Sequence, residues 1–155
     1  MTKPFPLQTI LELMQERADE ATRNLARLIA NEKDAKARLD MLLGYRDEYA
    51  GRFREAAQNG LTQRQWRNYQ QFLDRLDEAI EQQRKIVAAK AQNTALGQMQ
   101  WQQQRKKLKA FDTLSERHFA SENAREAKRD QKLQDEFAAR VKGVRDQVDQ
   151  GSGDR

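Results

Sequence analysis

The chain has no cysteine and only one histidine, His118. No disulfide framework, catalytic thiolate or cysteine-held zinc is therefore possible, and no site built from several imidazoles. The lack of cysteine fits a reducing compartment. Proline occurs twice, at Pro4 and Pro6, and glycine seven times in 155 residues. Beyond the first few positions, little interrupts a helix until mid-chain. No stretch of about 18 apolar residues is present to cross a bilayer, and the opening Met1-Thr-Lys-Pro-Phe-Pro has no apolar core of the signal-peptide kind. A cytoplasmic protein with no transmembrane segment is expected, peripheral to a membrane at most.

What is present is charge and helical periodicity. Hydrophobic residues make up 37% and charged residues 34%, which suits long helices with a thin core better than a compact globule. The one strong stop is Ala57-Gln-Asn-Gly-Leu-Thr62. Asn59 and Gly60 tolerate left-handed backbone angles and can end a helix. Thr62 with Gln65 three positions on reads as a capping box that starts the next.

Before the break, alternate steps of four and three give Leu7, Leu11, Met14, Ala18, Ala21, Leu25, Leu28, Glu32, Ala35, Leu39, Leu42, Arg46, Tyr49 and Phe53. Only Glu32 and Arg46 break the apolar rule. After the break the seam runs Trp66, Tyr69, Leu73, Leu76, Ile80, Gln83, Val87, Lys90, Thr94, Gly97, Trp101, Gln104, Leu108 and Phe111. Such a sustained repeat is the mark of a left-handed coiled coil. Folding back at Gly60 sets Phe53 opposite Trp66, Tyr49 opposite Tyr69, Leu39 near Ile80, Leu11 near Leu108 and Leu7 near Phe111, with position numbers summing close to 119.

The predicted fold is all-α, an antiparallel two-helix coiled-coil hairpin forming a single unit over residues 1–155. Its first helix is expected at 7–58, roughly 75 Å long at about 1.5 Å per residue. The turn is expected at 59–61, and the second helix at 62–150, overhanging the first from about 112. Residues 151–155 read as a disordered tail. The weak part of the second seam, from Gln83 to Gly97, is expected to be steadied by Glu32 against Lys90. Gly97 and Ala21 are expected to leave space for the indole of Trp101. A Gly in a helix interior costs about 1 kcal/mol relative to Ala, so bending or fraying is expected there. The overhang carries Leu114, Phe119, Leu133, Phe137, Val141, Val144 and Val148 with no second helix to cover them, and so needs a partner.

A two-helix hairpin has no catalytic concavity and this one has no glycine-rich phosphate loop, so no enzyme activity and no cofactor are expected. The adjacent acids Asp19-Glu20, Asp47-Glu48 and Asp135-Glu136 point about 100° apart on a helix, which favours solvated faces over a metal site. Net charge is +5, and residues 82–111 contain no acid while holding Arg84, Lys85, Lys90, Arg105, Lys106, Lys107 and Lys109. The cluster Arg105, Lys106, Lys107 and Lys109 would suit nucleic acid or anionic lipid through its phosphates. Trp101 and Phe111 fall in the seam, however, and are not free to stack on bases. An acidic protein surface is the better match, and no nucleic-acid partner is expected. A second stripe, Phe72, Ala79 and Ile86 with Leu76 and Gln83, repeats at the same spacing on an adjoining face. It is either a widened core or a strip on which another protein docks. Self-association through the overhang is a further alternative.

Specific segments run through both arms: Leu42-Leu-Gly-Tyr-Arg-Asp-Glu-Tyr49, Asn59-Gly60, Trp66-Arg-Asn-Tyr-Gln-Gln-Phe72, Leu76, Ala79-Ile-Glu-Gln82, Asp130-Gln-Lys and Asp135-Glu-Phe-Ala138. On these, the chain from 7 to 141 resembles the FliJ family of bacterial flagellar type III export proteins, which look like the central stalk of rotary ATPases. The resemblance implies a non-enzymatic component of flagellar export at the inner face of the cell membrane. Its implied partners are a hexameric export ATPase, the cytoplasmic linker of the membrane export gate, and substrate-specific export chaperones. It also implies a gate contact at Phe72, Leu76, Ala79 and Gln83. An ATPase-ring contact is implied at Asp130, Leu133, Asp135 and Phe137, beside Leu7 and Leu11 at the start of the first helix.

Overall fold

The computed structural model describes residues 3–151. Two helices account for nearly all of them, α1 (Gln8–Gln58) and α2 (Gln63–Gly151), of 51 and 89 residues. No strand occurs among the described residues, and the chain is an all-α two-helix hairpin whose second arm is the longer. Gly151 closes α2, while the rest of the expected tail lies outside the described residues.

The reversal is built as its residues require. Gly60 adopts φ +89°, a left-handed angle that a side chain would strain, and its amide donates to the Ala57 carbonyl at 3.3 Å. The capping box then closes in both directions. The Thr62 amide donates to Gln65 Oε1 at 3.0 Å, and the Gln65 amide to Thr62 Oγ1 at 3.2 Å. Two of the amides that a helix start leaves without partners are thereby satisfied.

The chain forms two compact units. In the unit Glu16–Lys106, aromatic rings interlock next to the turn. Phe53 meets Trp66 at 4.9 Å between centroids, and Tyr49 meets Tyr69 at 5.4 Å and Phe72 at 4.1 Å. Further along, Ala18, Ala35 and Ile80 are buried, and most other seam residues are half-buried. So thin a core rests on many partial contacts and on polar cross-links. Arg46 pairs with Asp77, Gln83 Nε2 donates to the Ala35 carbonyl at 3.0 Å, and Trp101 Nε1 donates to Thr22 Oγ1 at 3.0 Å. Position sums of the cross-helix partners scatter around the expected register, 119 for Phe53 and Trp66, 123 for Arg46 and Asp77, 118 for Ala35 and Gln83 and 123 for Thr22 and Trp101. Side chains therefore reach along diagonals of the seam, with no steady drift along the unit.

The neighbours actually met correct two expectations. Glu32 does not neutralise Lys90. It pairs with Lys36 one turn along α1 at 3.2 Å, and Thr94 takes the place across from it. The Thr94 hydroxyl, followed by Lys36, holds the Glu32 carboxyl below its ordinary range. Gly97 likewise does not make room for Trp101. A Cβ on Gly97 would lie 2.5 Å from Leu28 Cδ1, so the missing side chain is the space that Leu28 fills. Gly97 is itself buried, which makes it a close-approach residue.

The other unit joins the residues up to Gln15 with those from Lys107 on. Its anchor was not foreseen. Phe5, between the two prolines, is only 7% exposed, its ring 5.6 Å from that of His118. His118 Nε2 lies 3.0 Å from the Lys3 carbonyl, which can only accept, so that nitrogen carries a proton. The Phe5 carbonyl accepts from the Gln8 amide at 3.1 Å, tying the segment to the first turn of α1. One turn beyond His118, Glu122 is buried. Its Oε1 meets Arg125 at 3.3 Å, and its Oε2 has no partner among the described residues. From 127 to 151 every residue is exposed.

Candidate functional site

Phe72, Leu76, Ala79 and Gln83 recur every third or fourth residue on α2 and so share one side of it. Phe72 is 40% exposed, and its ring is braced underneath by Tyr49 of α1. Leu76 and Ala79 are half-buried. Gln83 is only partly available, since its amide nitrogen is engaged by the Ala35 carbonyl. The structure therefore brings the four onto one face but gives them different duties. Phe72 presents area, Leu76 and Ala79 form a low floor, and Gln83 ties the strip to α1. Beside Gln83 an open groove of about 250 Å³ is lined by Ala35, Arg38, Ile86 and Lys90 among others. Ile86, also off the seam, is 44% exposed.

Sequence reasoning missed the contribution of α1 to this surface. Tyr45 lies one turn before Tyr49 on the same face and is 52% exposed, with Met41 beside it at 51%. Large apolar side chains off the first seam were the available signal.

On the longer arm, Leu133 and Phe137 are 63% and 69% exposed, and Val141, Val144 and Val148 continue their line. Asp130 and Asp135 stand exposed among them. Leu7 is 36% exposed and Leu11 half-buried. They are not gathered with Leu133 and Phe137. Phe5 contacts α2 at His118, and Leu133 is fifteen residues further on, roughly 22 Å along a helix. The ring-contact residues thus fall into two separate groups.

The basic cluster is divided as well. The Arg105 guanidinium lies over the Trp101 ring, 4.9 Å from its centroid, a cation–π contact that occupies the cation. Lys106, Lys107 and Lys109 are exposed. On the same unit as Arg105, a polar groove of about 490 Å³ is lined by Arg17, Asn24, Gln100 and Gln104 among others, with Gln104 Oε1 buried and without a hydrogen-bond partner among the described residues. No helix among the described residues is long and apolar enough to cross a membrane.

Comparison with known proteins adds the following. A family model described as the flagellar FliJ protein matches residues 2–145. The flagellar FliJ protein of Salmonella typhi is 34% identical over 141 residues, covering 91% of this chain and 96% of that protein. The flagellar FliJ protein of Escherichia coli strain K12 is 32% identical over the same length, with the same coverage of each.

Proposed function

Since the chain belongs to the flagellar FliJ family, a family of flagellar export components, we propose that it is a non-enzymatic coupling protein. In this reading the exposed end of α2, with Asp130, Leu133, Asp135 and Phe137, engages a hexameric export ATPase, and Leu7 and Leu11 engage it separately. Phe72, Leu76, Ala79 and Gln83 engage the cytoplasmic linker of a membrane export gate. The protein works at the cytoplasmic face of the membrane, carries no cofactor and helps to escort export chaperones. Linkage between two binding sites on one molecule transmits state from one partner to the other without chemistry of its own.

The observation that carries this reading is the bare line Leu133, Phe137, Val141, Val144 and Val148, on a stretch of α2 that is exposed throughout among the described residues. Exposed apolar patches of that kind mark interaction sites, and here the patch sits on a family member whose seam is otherwise zipped. Purified ATPase and gate linker, titrated with three forms of the chain, provide the test. Phe72→Ala with Leu76→Ala should keep full helicity and ATPase binding but weaken gate binding at least about tenfold, which corresponds to about 1.4 kcal/mol. A chain ending at Glu126, which retains the Phe5 and His118 anchor, should bind the gate as before and the ATPase at least about tenfold more weakly, through Leu7 and Leu11 alone. Undiminished ATPase binding by the shortened chain would refute the assignment of the long arm.

A further inference from the structure

The outward line of α2, opposite its seam, changes character partway along the unit Glu16–Lys106. Along residues 64–82 its positions are polar or charged throughout, Arg64, Arg75 and Glu78 among them. Along 85–106 the same positions hold Lys85, Ala89, Leu96, Met99 and Lys106, with glutamines between. Leu96 is 53% exposed and Met99 58%. One turn apart on a helix, the two side chains adjoin. Lys85 and Lys106 bracket them over roughly 31 Å of helix. Neither lysine makes an ion pair among the described residues: Glu81, one turn before Lys85, is engaged by Arg84 at 3.7 Å, and residues 82–111 contain no acid.

We propose that this line docks an amphipathic helix of another protein, one with two or three large apolar side chains at its centre and carboxylates toward both ends. It is a third surface, separate from the strip at Phe72 and from the exposed end of α2. The occupant follows from charge and shape. An unopposed cation at each end of an apolar pair selects acids at matching distances, and like charge there would be repelled. Leu96 and Met99 stand on a helix, so their complement is a second helix with the same three-and-four spacing, and methionine adapts to varied packing. A membrane-surface helix needs a broad apolar face, whereas the opposite side of α2 is spent on α1. A nucleic-acid surface needs cations in close succession or aromatic platforms, and this line offers glutamine, alanine, leucine and methionine between its two lysines.

The test uses the full chain, expressed in cells that carry a flagellar export system, with a photo-reactive side chain in place of Met99. The same group in place of Gln71, on the polar stretch of the same line, is the control. The Met99 position should label a protein segment of net negative charge with large apolar residues at three-and-four spacing, and the Gln71 position should not. Yield should fall several-fold in Lys85→Glu with Lys106→Glu and stay unchanged in Arg64→Glu with Arg75→Glu, each checked for intact helicity. Phe72→Ala with Leu76→Ala should leave the label in place, which separates failure here from failure of the gate contact. Labelling of lipid, nucleic acid, a second copy or a neutral or basic segment would overturn the proposal. So would no label at all, or a yield indifferent to the charge reversals.

Discussion

Gly97 and Gly44 show how one residue type takes opposite meanings inside a helix. A side chain on Gly44 would meet nothing within 4 Å, whereas one on Gly97 would drive into Leu28. Gly44→Ala should therefore raise the stability of the hairpin by about 1 kcal/mol through helix propensity alone. In Gly97→Ala that gain is offset by the displaced Leu28, and Gly97→Leu should cost about 1–3 kcal/mol through overpacking. Thermal melts followed by circular dichroism rank the three. Glu32 supplies a pH dependence with a definite sign. Its folded-state carboxyl is held below the ordinary value by Thr94 and Lys36, so the stability it contributes is complete above the unfolded-state pKa of about 4.3 and disappears as pH falls through the lower folded value. Glu32→Gln should melt below the parent at neutral pH and with it in strong acid. A gap that persisted at low pH would point to packing instead.

At the scale of elements, the capping box and the left-handed glycine were legible because each is a local rule carried by named residues. Thr62, Gln65 and Gly60 needed no knowledge of the rest of the chain. The partner of Glu32 and the neighbour of Gly97 were not legible. They depend on which diagonal a side chain takes across the seam, and a repeat averaged over many heptads does not record that choice. The Phe5 anchor was hidden for another reason. Phe5 lies outside any periodic stretch, and Ser115, His118 and Glu122, which continue the spacing of the second seam beyond Phe111, are polar, so the apolar pattern ended before the anchor. Phe5→Ala should detach residues 3–7 locally without melting the hairpin, because a terminal segment opens independently of the helices it caps. The Gln8 amide, which donates to the Phe5 carbonyl, would then exchange with solvent much faster while amides around Ile80 keep their protection.

For the molecule as a whole, family membership and the hairpin were both readable in the sequence, since the seams on either side of residue 60 are long enough to fix each other's direction. The candidate docking face was half readable. Phe72, Leu76 and Ala79 share a side as their spacing requires, but that Gln83 is tied to a carbonyl and that Tyr49 braces Phe72 are facts of the second helix's neighbour. Spin labels at Leu11 and Leu108, within one compact unit, should report a short and narrow distance distribution, given helix axes packed about 8–10 Å apart. A broad or long distribution would mean that the arms part at their open end.

The uncovered end of α2 also bears on the protein's lifetime. Helices without tertiary support are marginal in water, and residues 127–151 hold Lys128, Arg129, Lys132, Arg140, Lys142 and Arg145 in a stretch that nothing shields. A protease should trim an idle copy back toward Glu126 and spare an engaged one, so cellular turnover would remove whatever exceeds the places available to hold it.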